Sequence, residues 1–194
     1  LLDRFMRVFE QTYTRFLDLK KAEEQAMEAQ VEAAMERIRG RVTAMQVSAD
    51  LLDIVVYMRS EFIKLGHEAH YFWHMRWLPE TYEKAMTSGD GTRIGTVMEL
   101  PRGFHENAAM TEWEKNNEPV AVFPYDADGA VDYVDKMIRL GHFHEIDHNT
   151  PGPDEIRKIG GITFIMARTT HGEIGYSLPG EVAKPPAEGL ATLV

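Results

Sequence analysis

The chain has 194 residues, of which 44% are hydrophobic and 27% are charged, a composition typical of a globular protein and unlike that of a disordered one. Its formal net charge is -10, and this acidic balance argues against a nucleic-acid or anionic-membrane partner. The chain has no cysteine, which excludes disulfides, thiolate metal sites and a cysteine nucleophile. Because no secretory signal and no apolar run of about 18 residues is visible, we expect a soluble, cytoplasmic protein. The start at Leu1 rather than at methionine leads us to expect a piece of a longer chain.

Residues 1–46 are predicted to form one long helix, because proline is absent before Pro79 and Gly40 is the single glycine of the first 65 residues. Apolar residues recur there at three- and four-residue spacing, but their stripe drifts around the helix, which suggests a coiled coil with a break in register. We therefore predict a homodimer, in parallel or antiparallel orientation; the alternative is a helix that packs back on its own domain. The residues predicted at the dimer contact are Phe9, Phe16, Leu19, Ala26, Val31 and Ile38.

The rest of the chain is predicted to alternate strands with short helices, which indicates an α+β fold on an antiparallel sheet. Ser48 is predicted to cap a helix at 49–65, and Gly66 to end it. We expect strands at 69–77, 83–87, 93–100, 120–125, 162–167 and 173–178, helices at 105–117, 127–140 and from 187, a helical turn at 154–159, and a loop at 141–153.

Two segments of the long helix are the most family-like parts of the sequence: Phe9–Glu23 and Ala29–Arg39. Followed by Met45 and Ser48, they resemble the helix that joins successive GAF-like sensor domains in bacterial histidine kinases. Residues 71–100 depart most from that family. Its C-terminal pattern is matched by Trp113, Tyr133 and the pair His171-Gly172.

The resemblance implies a non-catalytic sensory module of a two-component signal-transduction protein. Such a module dimerises through its flanking helices and relays a signal to a neighbouring output domain, such as a kinase or a cyclase. The implied organisation is a linker helix at 1–46, a GAF-like domain at 47–182, and the start of an exit helix at 183–194. The family's nucleotide and tetrapyrrole motifs are not found, and no cysteine could attach a bilin, so the sequence identifies no cofactor.

Two histidines and an arginine share one face of the predicted strand 69–77, where they could bind an anion or a carboxylate. The alternative is a half-exposed sheet face with ordinary polar residues. The tryptophans and Tyr133 could line a ligand cavity, although large aromatic residues are more often part of the core. The candidate ligand-binding residues are His70, His74, Arg76, Trp73, Trp113 and Tyr133.

Three further histidines lie in an acidic segment, where imidazoles and carboxylates could hold zinc. Their spacing matches no zincin motif, so we prefer a solvated loop, with His142 as a cap of the preceding helix. Two other functions stay open: a structural spacer, and a small-molecule- or metal-binding enzyme domain that uses one of the two histidine groups. No Gly-x-Ser-x-Gly or phosphate-loop pattern supports the enzyme. The candidate ligands are His142, His144 and His148, near Glu145, Asp147 and Asp154.

Overall fold

A computed structural model describes residues 2–45, 50–104 and 108–193 of the chain. These residues form two compact units, Leu1–Thr43 and Ala44–Val194. No helix among the described residues has both the length and the apolarity that crossing a bilayer requires. Ser48 and His105, near the predicted starts of two helices, lie outside the described residues.

The first unit is a single helix, α1, at Leu2–Thr43. Its 42 residues correspond to a length of about 63 Å, at about 1.5 Å per residue. This confirms the predicted long helix. Ion pairs one turn apart, such as Lys20 to Glu24 at 3.9 Å, add a little local support. Large apolar side chains on α1 are exposed, among them Phe9 at 71% and Phe16 at 58%.

The second unit contains one seven-stranded antiparallel sheet, in the order β4-β6-β7-β1-β2-β3-β5. Helices and strands in one layered unit confirm the predicted α+β class. The strands are β1 (Phe72–Trp77), β2 (Thr81–Thr87), β3 (Ile94–Pro101), β4 (Val120–Tyr125), β5 (His142–Glu145), β6 (Ile162–Thr169) and β7 (Gly172–Pro179). The helices are α2 (Asp50–Lys64), a 3₁₀ turn (Arg102–Phe104), α3 (Ala108–Lys115), α4 (Ala127–Leu140), α5 (Pro153–Ile159) and α6 (Ala187–Leu193).

Strand β5 corrects the prediction of a continuous loop at 141–153. It pairs with β3 through Glu99 opposite His142 and Met98 opposite Phe143. Because β5 is the last strand at one edge of the sheet, its side chains stay mostly exposed and polar. A short, polar edge strand carries little of the apolar alternation by which strands are predicted.

Helices cover both faces of the sheet. On one face Trp73, Met75 and Phe164 belong to a core that includes Met137 of α4. On the other face Phe72, only 2% exposed, packs with residues of α2 and α6. The side of β1 that carries Phe72 and His74 is therefore largely covered, and His70 precedes this strand.

Helix α4 has the predicted bounds and holds one wall of the candidate site. Asp126 caps its first turn, because the Asp126 carboxylate accepts a hydrogen bond of 2.8 Å from the backbone N–H of Gly129. Val131, Val134 and Met137 are buried. Ile138 is 49% exposed, because it lies one position beyond this buried stripe.

Candidate functional site

A cavity of about 40 Å³ lies between the sheet and helix α4. Its lining is mostly apolar and includes a few polar side chains. The sheet contributes Trp73, Lys84, Met86, Ile162, Phe164 and Ser177, α4 contributes Tyr133, Val134 and Met137, and the remaining wall consists of His70, Tyr71, Thr150, Pro151 and Ile156.

Trp73 is fixed beside the cavity by its neighbours on β7. It pairs with Gly175, and a Cβ atom at Gly175 would lie only 2.5 Å from Cζ2 of the indole. The indole therefore occupies the space that any larger residue would need. Its Nε1–H donates a hydrogen bond of 3.0 Å to Oε1 of Glu173, which is itself 1% exposed.

Lys84 is the least expected residue of the cavity wall. It is only 5% exposed, and its Nζ lies 4.5 Å from the centre of the Trp73 ring. Within the described residues the ammonium group makes no hydrogen bond, and no carboxylate oxygen lies within 4.0 Å of it. Burial lowers the pKa of Lys84 from its usual 10.5 to about 8, and the nearby Glu173 opposes this shift.

The pKa of Glu173 shifts upward whereas that of Lys84 shifts downward, because burial penalises the charged form of both groups. Burial raises the pKa of Glu173 from 4.5 to about 7, while the Trp73 hydrogen bond and the Lys84 charge reduce that shift. The two groups thus form a buried acid–base pair without direct contact.

Tyr71 adds a second polar group that lacks a partner. Its hydroxyl is buried and has no hydrogen-bond partner among the described residues. Burial raises the pKa of Tyr71 to about 12, with a smaller contribution from Asp147. Its backbone N–H donates to Oγ of Ser177 at 3.2 Å, so β1 and β7 are linked at the cavity rim.

The structure brings together three of the six predicted ligand-binding residues. His70, Trp73 and Tyr133 line the cavity. Burial lowers the pKa of His70, with a smaller contribution from the Arg59 charge.

The other three predicted residues lie away from the cavity. Arg76 forms an ion pair of 3.2 Å with Glu83. His74 projects from the same strand, and burial lowers its pKa, with a smaller contribution from Arg76. Trp113 packs edge-to-face on Trp77 at a centroid distance of 5.7 Å, so it belongs to the core.

Sequence reasoning missed Lys84 and Tyr71. Tyr82, Lys84 and Met86 alternate along β2 with the more exposed Glu83. A lysine at an inward position of an alternating strand is a readable signal, since lysine is almost never fully buried without a partner.

The predicted metal-binding group is assembled differently from the expectation. His142 and His144 are neighbours, with ring centroids 4.9 Å apart, but their carboxylate companion is Glu99 of β3. His148 is not part of this group. The three expected acidic partners make other contacts: Glu145 and Asp147 lie near Arg93, and Asp154 lies near Arg157.

Comparison of the chain with protein-family models, curated proteins and solved structures finds no match.

Proposed function

We propose that this chain is a non-catalytic sensory module, in which the 44–194 unit binds a short-chain carboxylate in the cavity beside Lys84. In this proposal α1 pairs with a second copy and passes the signal to a neighbouring domain of a longer signalling protein. The GAF-like resemblance and the α+β architecture support the sensory role. The observation that carries the proposal is a lysine only 5% exposed, which lines the cavity and whose ammonium group makes no hydrogen bond to a described residue.

The contacts of Lys84 within the fold are a cation–π contact with Trp73 and the attraction of Glu173, and neither gives its ammonium group a hydrogen bond. Lys84 pairs with Met75 of β1 and with Met98 of β3, so unbranched methionine side chains of similar length already lie on both sides of it in the sheet. A methionine at position 84 would avoid the cost of burying a charge. A negatively charged ligand would offset the cost of burying this charge, because it would accept a hydrogen bond from the Lys84 ammonium group.

The size of the cavity limits the ligand. Its volume of about 40 Å³ exceeds the roughly 10–15 Å³ that a single water needs, but it is far below the roughly 150 Å³ of a cavity that admits benzene. Acetate or propionate would fit, with the carboxylate at Lys84 and the alkyl part against the apolar lining. Benzoate would be too large.

The apolar side chains of α1 support a dimer as the output element. Leu2, Phe5, Phe9, Phe16 and Leu19 follow heptad spacing. A strict heptad would continue from Leu19 to Ala26. The apolar residues of the C-terminal half instead form a second stripe, which begins one position later and consists of Met27, Val31, Ala34 and Ile38. Such a break favours two alternative packings of the paired helices, between which a signal can select.

Thermal unfolding of the full chain in acetate, propionate or benzoate tests the binding proposal. At ten times its dissociation constant a ligand stabilises the folded state by about 1.4 kcal/mol, or roughly 3–6 °C for a unit of this size. We expect this rise with acetate or propionate, and no rise with benzoate or with chloride at equal ionic strength. Lys84→Met should abolish the rise, and Arg76→Met, at an exposed position outside the cavity, should leave it unchanged. The absence of a rise for wild type, or an equal rise for Lys84→Met, would refute the proposal.

A further inference from the structure

A second cluster of potential ligands lies at the sheet edge and includes none of the cavity residues. It consists of Glu99 on β3 and of His142 and His144 on β5, whose side-chain ligand atoms all lie within 4.8 Å of one another. His144 Nε2 and Glu99 Oε1 are 3.2 Å apart. The two imidazole rings are 4.9 Å apart between centroids, and their planes are inclined by 85°.

The pairing of the two strands explains why these residues converge. Glu99 lies directly opposite His142 in the β3–β5 register. The next pairs join Met98 to Phe143 and Val97 to Glu145, so His144 is an extra, unpaired residue at a bulge. Side chains two residues apart on a strand share a face, so His144 lies on the same side as His142, where its Nε2 approaches Glu99.

We propose that Glu99, His142 and His144 bind a divalent transition-metal ion, with Zn²⁺ as the best match. Two imidazoles and one carboxylate are an established type of zinc ligand set, in which solvent takes the fourth position. Imidazole donors also disfavour Mg²⁺ and Ca²⁺, which prefer oxygen ligands.

The geometry is close to what zinc requires. Tetrahedral ligands at about 2.0–2.1 Å from zinc are separated from one another by roughly 3.4 Å. The present separations, up to 4.8 Å, can close by side-chain rotation, because the His144 and Glu99 side chains are 49% and 42% exposed. The plainer alternative is a surface ion pair between His144 and Glu99, which would contribute about 1 kcal/mol or less and would need no metal.

A metal at this position would bridge β3 and β5. Strand β5 leads directly into the segment that contributes Thr150 and Pro151 to the cavity wall. Bound metal would therefore restrain the chain on which one side of the cavity depends, although the proposed zinc site does not depend on carboxylate binding.

Calorimetric titration of ZnCl₂ into the full chain tests this inference. We expect one zinc ion per chain for the wild type, at least about tenfold weaker binding for Glu99→Gln, and loss of this site in His142→Ala/His144→Ala. The matched controls are His148→Ala and His171→Ala, which remove histidines outside the cluster and should bind zinc as the wild type does. Circular dichroism checks that each variant is folded.

Cobalt provides a second readout. Co²⁺ bound by the wild type should show the visible absorption of a tetrahedral centre, and Glu99→Gln should weaken it even if the double histidine variant does not fold. The inference would be overturned by a wild type that binds no zinc, by binding that survives in a folded His142→Ala/His144→Ala, or by an equal loss of affinity in His148→Ala.

Discussion

Neutralising the buried pair Lys84 and Glu173 should stabilise the protein. Lowering the pKa of Lys84 from 10.5 to about 8 costs the folded state about 3 kcal/mol while the lysine is charged, since one pKa unit equals about 1.4 kcal/mol. Raising the pKa of Glu173 from 4.5 to about 7 costs a similar amount when the carboxyl group is ionised. Replacing a buried ion pair by neutral residues typically gains about 1–4 kcal/mol, which is less than the sum of these two costs, so we expect a gain of about 3 kcal/mol for Lys84→Met/Glu173→Gln.

The dependence of this gain on pH is diagnostic. Below pH 8 Lys84 is charged in the folded and the unfolded state, and the burial of its charge lowers the free energy of unfolding by the full amount. Between pH 8 and 10.5 Lys84 loses its proton in the folded state but keeps it in the unfolded state, so this destabilisation disappears as the pH rises. The destabilisation by Glu173 develops as the pH rises from 4.5 to 7, because its carboxyl group ionises in the unfolded chain while it stays protonated in the folded state. The wild type should thus be least stable, and the gain largest, between about pH 7 and pH 8.

Chemical denaturation and thermal unfolding from pH 5 to pH 10 measure the effect. At pH 7.5 the double variant should melt about 6–12 °C higher than the wild type. Glutamine keeps an acceptor for the Trp73 indole, so the hydrogen bond is preserved. The control is Arg76→Met/Glu83→Gln, which neutralises an exposed ion pair of 3.2 Å and should change stability by less than about 1 kcal/mol. A double variant less stable than the wild type at pH 7.5 would show that the pair stabilises the core, and would refute the argument.

Three further predictions concern the scaffold and the dimer. Gly175→Ala should destabilise the protein by about 2–3 kcal/mol in urea denaturation, because the new Cβ would lie within 2.7 Å of both Trp73 and the Ile165 carbonyl oxygen. The control is Gly103→Ala, which should be well tolerated because no atom lies within 4 Å of the new Cβ. Asp126→Ala should cost about 1 kcal/mol by the same assay, since the cap of α4 is lost; a cost below 0.3 kcal/mol, roughly, would show that the cap is dispensable. Light scattering should give the wild type twice the 22.1 kDa of one chain and should give Phe9→Glu/Phe16→Glu the monomer mass. Gln11→Glu/Gln25→Glu adds the same charge at polar positions and should stay dimeric; a monomeric wild type would contradict the dimer.

The sequence predicts the elements of this fold better than the positions of its side chains. Helix α4 and strand β4 have their predicted bounds, because Pro119, the Asp126 cap and Gly141 mark the ends of clear apolar patterns. These signals are local, so one sequence is enough to read them. Strand β5 was missed because its edge position allows polar residues, and an edge strand is recognised mainly by its partner.

The candidate sites depend on pairings between distant segments. Lys84 and Glu173 come together through β2, β1 and β7, and Glu99 meets His142 across α3, β4 and α4. A shift of one residue in any of these registers would move the side chains to opposite faces of the sheet. Sequence spacing alone therefore suggested His148 as a ligand and gave no reason to consider Glu99.

Carboxylate binding in the cavity requires that Lys84 be a cation whose ammonium group can accept an anionic partner. The most direct test is a pH titration of the Lys84 side chain by nuclear magnetic resonance, in the 194-residue chain with selectively labelled lysine and with Lys84→Met to assign the signal. We predict a pKa well below 10.5 in the free protein and a shift back toward the ordinary value on addition of propionate, because a bound carboxylate favours the charged amine. A pKa near 10.5 without propionate, or one that propionate leaves unchanged, would contradict the account.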